Sequence, residues 1–139
     1  SLYITSWNMF KNNPIFGLGI NSFRNFCHDD IYSHDSDSCS THPHNSYLQL
    51  LAETGLTGLI FIIILFIYLM YQITKLIISD LKGSKRHLED YQICLLGCFL
   101  ISLWPFLPTQ NFFNNWINIV YYLPIGFYLY SLNLEDKNI

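Results

Sequence analysis

The pattern of charged and apolar positions divides this chain of 139 residues into two parts. Residues 1–55 mix polar and apolar side chains, and two long charge-free stretches follow. The first covers residues 54–74 and the second residues 91–134, which is 21 and 44 residues. A transmembrane helix needs about 20 apolar residues to cross about 30 Å of hydrocarbon. The pattern therefore predicts one span in the first stretch and two spans, joined by a short turn, in the second.

We place the three predicted transmembrane helices at residues 56–78, 91–107 and 116–132. Pro105 and Pro124 lie in the second and third, where they predict kinks or tilt. Polar residues 108–111 supply the turn between these two spans. The overall composition agrees, because only 12% of the residues are charged, against about 25% in a typical soluble domain.

The basic residues predict the orientation of these spans. Four of them cluster around the loop between the first and second span: Lys75, Lys82, Lys85 and Arg86. The positive-inside rule makes that loop cytoplasmic. The predicted fold is thus all-α and integral to the membrane. An external loop region with short helices, residues 1–55, precedes three transmembrane helices and a cytoplasmic C-terminal tail, residues 56–139.

The external segment has a weakly acidic character and no visible leader sequence. It carries two basic and five acidic side chains, a formal balance of −3, so a role in nucleic-acid binding has no support. The chain begins without Met, a basic n-region or a cleavage pattern. Since no span precedes residues 1–55, we expect this sequence to be the C-terminal piece of a longer protein.

The four cysteines form two pairs. Cys27 and Cys39 lie in the external segment, where a disulfide could form. Cys94 and Cys98 are spaced i, i+4 in the second predicted span and are interpreted as small packing residues. No C-x₂-C spacing occurs, and the Asp- and His-containing residues 27–41 are interpreted as a solvated loop, so we predict no metal site.

Before that loop, the pattern predicts short helices and one glycine-rich turn. Apolar positions in residues 2–11 have helical spacing and suit a helix at the bilayer interface. Gly17 and Gly19 allow a tight turn or a close approach of the backbone to a ligand. Asn21 and Ser22 can cap a second short helix.

Two histidines precede the first predicted span, and an imidazole can exchange a proton near neutral pH. Pro43 suits the first turn of a helix that would run over residues 43–53 and end or bend at Gly55. On that helix His44 would share a face with Tyr47, whereas His42 would point away. This argues against a shared metal, unless the segment is extended. The alternative is that both are loop histidines without a task.

Several motifs together resemble the O-antigen ligase superfamily, which covers O-antigen ligases, Wzy-type polymerases and protein O-oligosaccharyltransferases. They are Trp7, the N-P-I-F-G-L-G of residues 13–19, the H-P-H-N-S-Y-L-Q of residues 42–49, and the E-T-G-L-T-G of residues 53–58. The superfamily has a large periplasmic loop followed by three closing spans, as in the orientation above. The resemblance implies a multi-pass protein of the bacterial inner membrane, with residues 1–55 facing the periplasm.

The resemblance also implies a reaction: transfer of an undecaprenyl-diphosphate-linked glycan to a hydroxyl of a lipid or glycan acceptor, without a cofactor. The family's functional His precedes Asn and corresponds to His44, the expected catalytic residue, which would take the acceptor proton. Arg24, His42 and Asn45 are the candidate substrate-binding residues. Arg24 is the one arginine of the external segment, while the arginine that the family uses would fall before Ser1.

Two other classes of function stay open. The chain could be a non-catalytic membrane subunit, or a transporter fragment of a polysaccharide export system. A transporter is expected to carry ionisable residues inside its spans, and the charge-free stretches contain no Asp, Glu, Lys or Arg. The choice between ligase, polymerase and protein glycosyltransferase, and the identity of glycan and acceptor, are open from sequence.

Overall fold

The computed structural model describes residues 2–81 and 90–137, and every regular element within them is a helix. The elements in chain order are α1 (Leu2–Asn12), α2 (Ser22–Phe26), α3 (Ser46–Leu81), α4 (Asp90–Ser102) and α5 (Asn115–Lys137). The prediction of an all-α fold is confirmed for these residues.

Helix α3 supplies one segment that is long and apolar enough to cross a membrane, Ser46–Ser79. Helix α4 contains the shorter apolar stretch Tyr91–Ser102, and α5 has Pro124 in its interior. Three transmembrane helices therefore stay a prediction. Three of the four basic residues that predict the orientation lie outside the described residues.

Two predicted helix boundaries are wrong. Helix α4 ends at Ser102, before Pro105, rather than at residue 107. The helix cannot continue through Pro105, because proline has no N–H to donate to the carbonyl four residues earlier. The carbonyl of Pro105 instead accepts a hydrogen bond from Asn45. Helix α3 begins at Ser46 rather than at Pro43.

The chain forms two compact units. The first unit consists of Ser1–Ile63 and Pro105–Ile117, and the second of Ile64–Trp104 and Asn118–Ile139. The core of the first unit is a cluster of fully buried side chains, Met9, Phe23, Cys27 and Ala52. A disulfide joins Cys27 to Cys39, with 5.0 Å between their Cα atoms, as the sequence allowed.

The second unit packs apolar side chains of α3, α4 and α5. Leu96, Phe99 and Leu103 are buried along one face of α4 and its end, and the ring of Phe99 meets that of Tyr128 edge to face at 6.4 Å. A buried polar contact also joins α4 to α5, because Gln92 Nε2 donates to Ser131 Oγ at 3.0 Å.

Candidate functional site

Helix α3 is interrupted at Gly55, where the sequence predicted a bend. The backbone there has φ 65° and ψ −152°, a conformation that favours glycine. In a regular helix the next two N–H groups would donate to carbonyls four residues earlier. Instead, Leu56 N donates to Pro14 O at 2.9 Å and Thr57 N to Ile15 O at 3.3 Å.

The same interruption frees two carbonyls, and the loop after α1 satisfies these as well. The Ala52 carbonyl accepts from Leu18 N at 3.1 Å, and the Glu53 carbonyl accepts from Gly19 N at 2.9 Å. Residues 14–19 thus replace both the donors and the acceptors that the helix loses at Gly55. Because buried backbone groups need partners, this exchange fixes the loop against α3.

The close approach explains two glycines of the sequence motifs. A Cβ at Gly17, which has φ 67°, would overlap the backbone of Glu53. A Cβ at Gly55 would lie 2.5 Å from Ile15 O. Gly17 was expected to serve a tight turn or approach a ligand. The backbone that it approaches is that of α3.

The Glu53 side chain ties α2 to α3. Its carboxylate is buried, with 1% of the residue exposed. Oε2 accepts from Asn21 N at 3.0 Å and Oε1 from Phe23 N at 3.1 Å. Gln49 Nε2 donates to the same Oε2 at 3.3 Å. The carboxylate therefore holds the start of α2, the helix that carries Arg24.

Residues 105–113, hereafter the docked segment, lie along the first turns of α3. Gln49 is fully buried; its Nε2 donates to Asn111 Oδ1 at 2.8 Å, and its Oε1 accepts from Phe112 N at 2.9 Å. One turn earlier, the hydroxyls of Ser46 and Thr109 are 2.8 Å apart. A polar stripe on α3 therefore binds this segment.

Asn45 caps α3 and binds the docked segment. Its Oδ1 accepts from Tyr47 N at 3.0 Å and Leu48 N at 3.1 Å, which is the bonding of an N-cap residue. Its Nδ2 donates to Pro105 O at 2.8 Å. This cap explains why the helix begins at Ser46, and both ends of the Asn45 amide are used within the protein.

His44 lies outside the helix, so the expectation that it shares a helical face with Tyr47 is wrong. Its backbone is left-handed, with φ 57°, a conformation that few residues other than glycine adopt, although asparagine, aspartate and histidine adopt it more often than the rest. Thr109 N donates to His44 O at 2.9 Å and holds this conformation. The side chain is exposed, and Nε2 lies 3.5 Å from Ser40 Oγ.

His42 was expected to point away from His44, and this expectation is also wrong. The two ring centroids are 4.2 Å apart, because the segment before Ser46 is not helical. His42 is buried, its Nδ1 lies 2.9 Å from Thr41 Oγ1, and its Nε2 has no hydrogen-bond partner among the described residues.

Burial lowers the pKa of His42 below its ordinary value. The neighbouring His44 lowers it further, the Thr109 backbone partly offsets this, and the positive charge of Arg24 adds a smaller lowering. His42 is therefore neutral at pH 7. Arg24 itself is exposed, and its charge makes the smallest of these contributions to the lowered pKa of His42.

A metal ion was not expected, and one cluster has the required spacing. Cys27, His28 and Cys39 present ligand atoms within 4.8 Å of one another. Both sulfurs are joined in the disulfide, so neither is available as a thiolate ligand.

The structure thus brings the rings of His42 and His44 together and places Asn45 at the helix start, whereas no contact joins Arg24 to either histidine among the described residues. Sequence reasoning missed Thr109 and Asn111, which belong to residues 108–111, interpreted only as a polar turn. Their polar character was visible, but nothing local indicates a partner about sixty positions earlier in the chain.

The comparisons with known proteins agree with the resemblance. A family model described as O-Antigen ligase (Wzy_C) matches residues 1–79, which is more than half of the chain. No curated protein and no solved structure matches this chain. The matched residues include α1, α2, both histidines and the interruption at Gly55. The chain therefore belongs to the O-antigen ligase family, whose members are membrane proteins that transfer glycans.

Proposed function

We propose that this chain carries the reaction centre of a membrane glycosyltransferase of the ligase or polymerase type. The donor is a glycan on undecaprenyl diphosphate, and the acceptor is a hydroxyl of a lipid or another glycan. The observation that carries the proposal is the exposed imidazole of His44, held in a left-handed backbone conformation. Such uncommon conformations persist where surrounding contacts impose them, and they cluster at active sites.

His44 is the proposed general base. The acceptor oxygen attacks the anomeric carbon of the donor sugar, and a new C–O bond forms there. The bond from that carbon to the diphosphate oxygen breaks, and the diphosphate leaves with the electron pair. The acceptor proton passes to the His44 ring, which is exposed and therefore accessible to a substrate hydroxyl.

His42 supports this proton transfer from the buried side of the His44 ring. Its ring is buried against that of His44, and burial keeps it neutral. A neutral ring avoids like-charge repulsion when His44 becomes protonated, since two charges about 4 Å apart in a partly buried site would repel by about 4 kcal/mol. We assign His42 a positioning and electrostatic role.

Arg24 is the proposed contact of the leaving diphosphate. A guanidinium forms paired, charge-assisted hydrogen bonds with phosphate oxygens. Arg24 is exposed on α2, and its charge acts on His42. Asn45, predicted to bind substrate, already uses its amide to cap α3 and bind Pro105. Its proposed contribution is therefore to fix the position of His44.

The reaction is proposed to take place at the periplasmic face of the bacterial inner membrane, where the lipid-linked donor is presented. The family's membrane character and the one long apolar helix support a membrane location. The periplasmic side follows from the basic residues of the sequence, which lie mostly outside the described residues.

The test is His44→Ala in the full-length protein, expressed in a strain that lacks the wild-type gene. We expect glycan transfer to fall by about 10²–10⁴-fold, the usual effect of removing a general base. The measurement is surface glycan profiling, with protein level checked in the membrane fraction. His34→Ala, which changes an exposed histidine of the same external segment, is the matched control and should transfer normally.

Two results would separate the alternatives. Wild-type transfer by His44→Ala would contradict the catalytic role and favour a non-catalytic subunit or transporter fragment. Because the rings of His42 and His44 are in contact, His42→Ala should also cause a clear loss of transfer. Arg24→Gln should chiefly raise the KM for the lipid-linked donor.

A further inference from the structure

The loop that follows α1 exposes large apolar side chains. Ile15 is 58% exposed, Phe16 75% and Ile20 63%. The backbone of this loop is fixed to α3 by the four hydrogen bonds at Gly55, so these side chains are held outward by an ordered backbone. Several large apolar side chains that an ordered backbone exposes within one short loop are typical of a contact with a partner or a membrane.

Helix α1 buries Met9 in the core of the first unit but leaves two large aromatic side chains partly exposed. Its small polar residues Thr5 and Ser6 are fully buried, while Tyr3 and Trp7 are about half exposed. The rings of Trp7 and Phe10 lie 5.1 Å apart. Trp and Tyr are enriched where a membrane protein meets the lipid headgroups, because one end of the side chain is apolar and the other polar.

The hydrogen bonds also set the depth of this surface. Ile15 O accepts from Thr57 N, and Pro14 O from Leu56 N, so residues 14–16 lie within about one helical turn of the start of the apolar run. The exposed apolar residues of α3 begin at Leu56 and continue through Ile60 and Phe61. The loop surface and the span surface therefore adjoin within the first unit.

The charge of this segment fits a lipid surface. Residues 2–20 contain one charged side chain, Lys11, at the end of α1. A lysine beside an apolar surface suits contact with phosphate headgroups. The acidic residues Asp29, Asp30, Asp35 and Asp37 all lie later in the sequence, in the loop between α2 and α3.

From these observations we propose that residues 14–20, with the exposed face of α1, form an interfacial anchor in the bilayer that α3 crosses. Phe16 and Ile15 enter the boundary between headgroups and acyl chains. The anchor would hold the Gly55 interruption, and with it the start of α3, at a fixed depth. The occupant is lipid, rather than a second protein.

The test measures depth directly. The full-length protein, with Cys94 and Cys98 replaced by serine and the disulfide intact, is labelled with a nitroxide at Phe16→Cys and reconstituted in phosphatidylethanolamine–phosphatidylglycerol vesicles. Ile31→Cys is the matched control, because Ile31 is also an exposed apolar residue (72%) but follows two aspartates. Collision rates with oxygen, which concentrates in lipid, and with a water-soluble nickel chelate are compared.

We expect the oxygen-to-nickel ratio to be several-fold higher for the label at position 16 than at position 31. Equal ratios at the two positions would overturn the proposal. Protection from both reagents at position 16 would also overturn it and indicate a protein partner. Ile20→Cys repeats the measurement should the first variant fold poorly. None of these readouts requires glycan transfer, so the anchor and the proposed reaction can fail separately.

Discussion

The two units of this protein both contain buried polar bonds between distant residues, but the described part of the first unit has more of them. In the first unit, buried polar side chains such as Gln49 and Glu53 bind residues 30 or more positions away in the chain. In the second unit, a small cavity is lined almost entirely by apolar side chains, among them Leu65, Leu69 and Leu96. Directional bonds specify one arrangement, whereas apolar packing accepts several similar arrangements.

The comparison supports the place that we propose for the reaction centre. A base must be positioned to within a fraction of an ångström to act on a bound hydroxyl. The first unit supplies such positioning, because His44 is held by Thr109 N and flanked by the Asn45 cap. The second unit exposes Ile67, Phe127 and Tyr130, and for membrane-spanning helices lipid is the expected neighbour of such side chains.

The largest expected difference between the units is the effect of a glycine-to-alanine substitution on stability. Gly55→Ala should destabilise the protein by about 2–6 kcal/mol, because the left-handed backbone and the contact with Ile15 O both oppose a Cβ. Gly97→Ala in α4 should be neutral or slightly stabilising, since a Cβ there meets nothing within 4 Å. Thermal unfolding in detergent measures both.

An equal loss of stability from Gly55→Ala and Gly97→Ala would contradict the conclusion that directional bonds specify one arrangement in the first unit. A neutral Gly55→Ala would show that the interruption relaxes without cost. Gly17→Ala is expected to behave as Gly55→Ala does, because its Cβ would overlap the backbone of Glu53.

A second, intermediate effect compares one buried glutamine in each unit. Gln49→Leu leaves Phe112 N without its acceptor and removes one of the two donors to Glu53 Oε2, and it should cost about 2–4 kcal/mol. Gln92→Leu removes the contact with Ser131 between two predicted spans, where such bonds average about 0.6 kcal/mol. Chemical unfolding in mixed micelles measures both losses of stability. A larger loss for Gln92→Leu than for Gln49→Leu would contradict the proposed difference between the units.

The smallest expected effect is a dependence of stability on pH, which arises from His42 in the first unit. The pKa of His42 is lowered from 6.5 in the folded protein, so the unfolded chain binds this proton more readily. His42 therefore contributes stability above about pH 6.5, which is lost as pH falls from there through the lowered folded pKa. The free energy of unfolding of wild type and of His42→Gln, measured between pH 5 and 8, isolates this contribution. Wild type should lose stability more steeply than His42→Gln as the pH falls.

The sequence predicted the features that depend on local rules. Charge-free runs predicted the apolar helices, and a glycine at position 55 predicted the bend, because the combination of φ 65° and ψ −152° found there is essentially limited to glycine. The possible pairing of Cys27 with Cys39 was also visible. These signals reside in short segments and need no partner from elsewhere in the chain.

The arrangement of the histidines was not predictable in the same way. Pro43 favours the first turn of a helix, and that rule placed the helix start three residues too early. The Asn45 cap and the docked segment decide the start instead, through bonds to Pro105 and Thr109. A preference that depends on residues sixty positions away cannot be obtained from local spacing.

The exchange of hydrogen bonds at Gly55 has a consequence for how such a protein can diversify. Between Pro14 and Thr57 the chain leaves and returns to the same point, and main-chain groups make the four bonds there. Main-chain bonds are indifferent to side-chain identity, apart from the glycines that permit the approach. The loop between α2 and His42, which carries the disulfide, makes none of these four bonds, and it can therefore change in length and composition without breaking them.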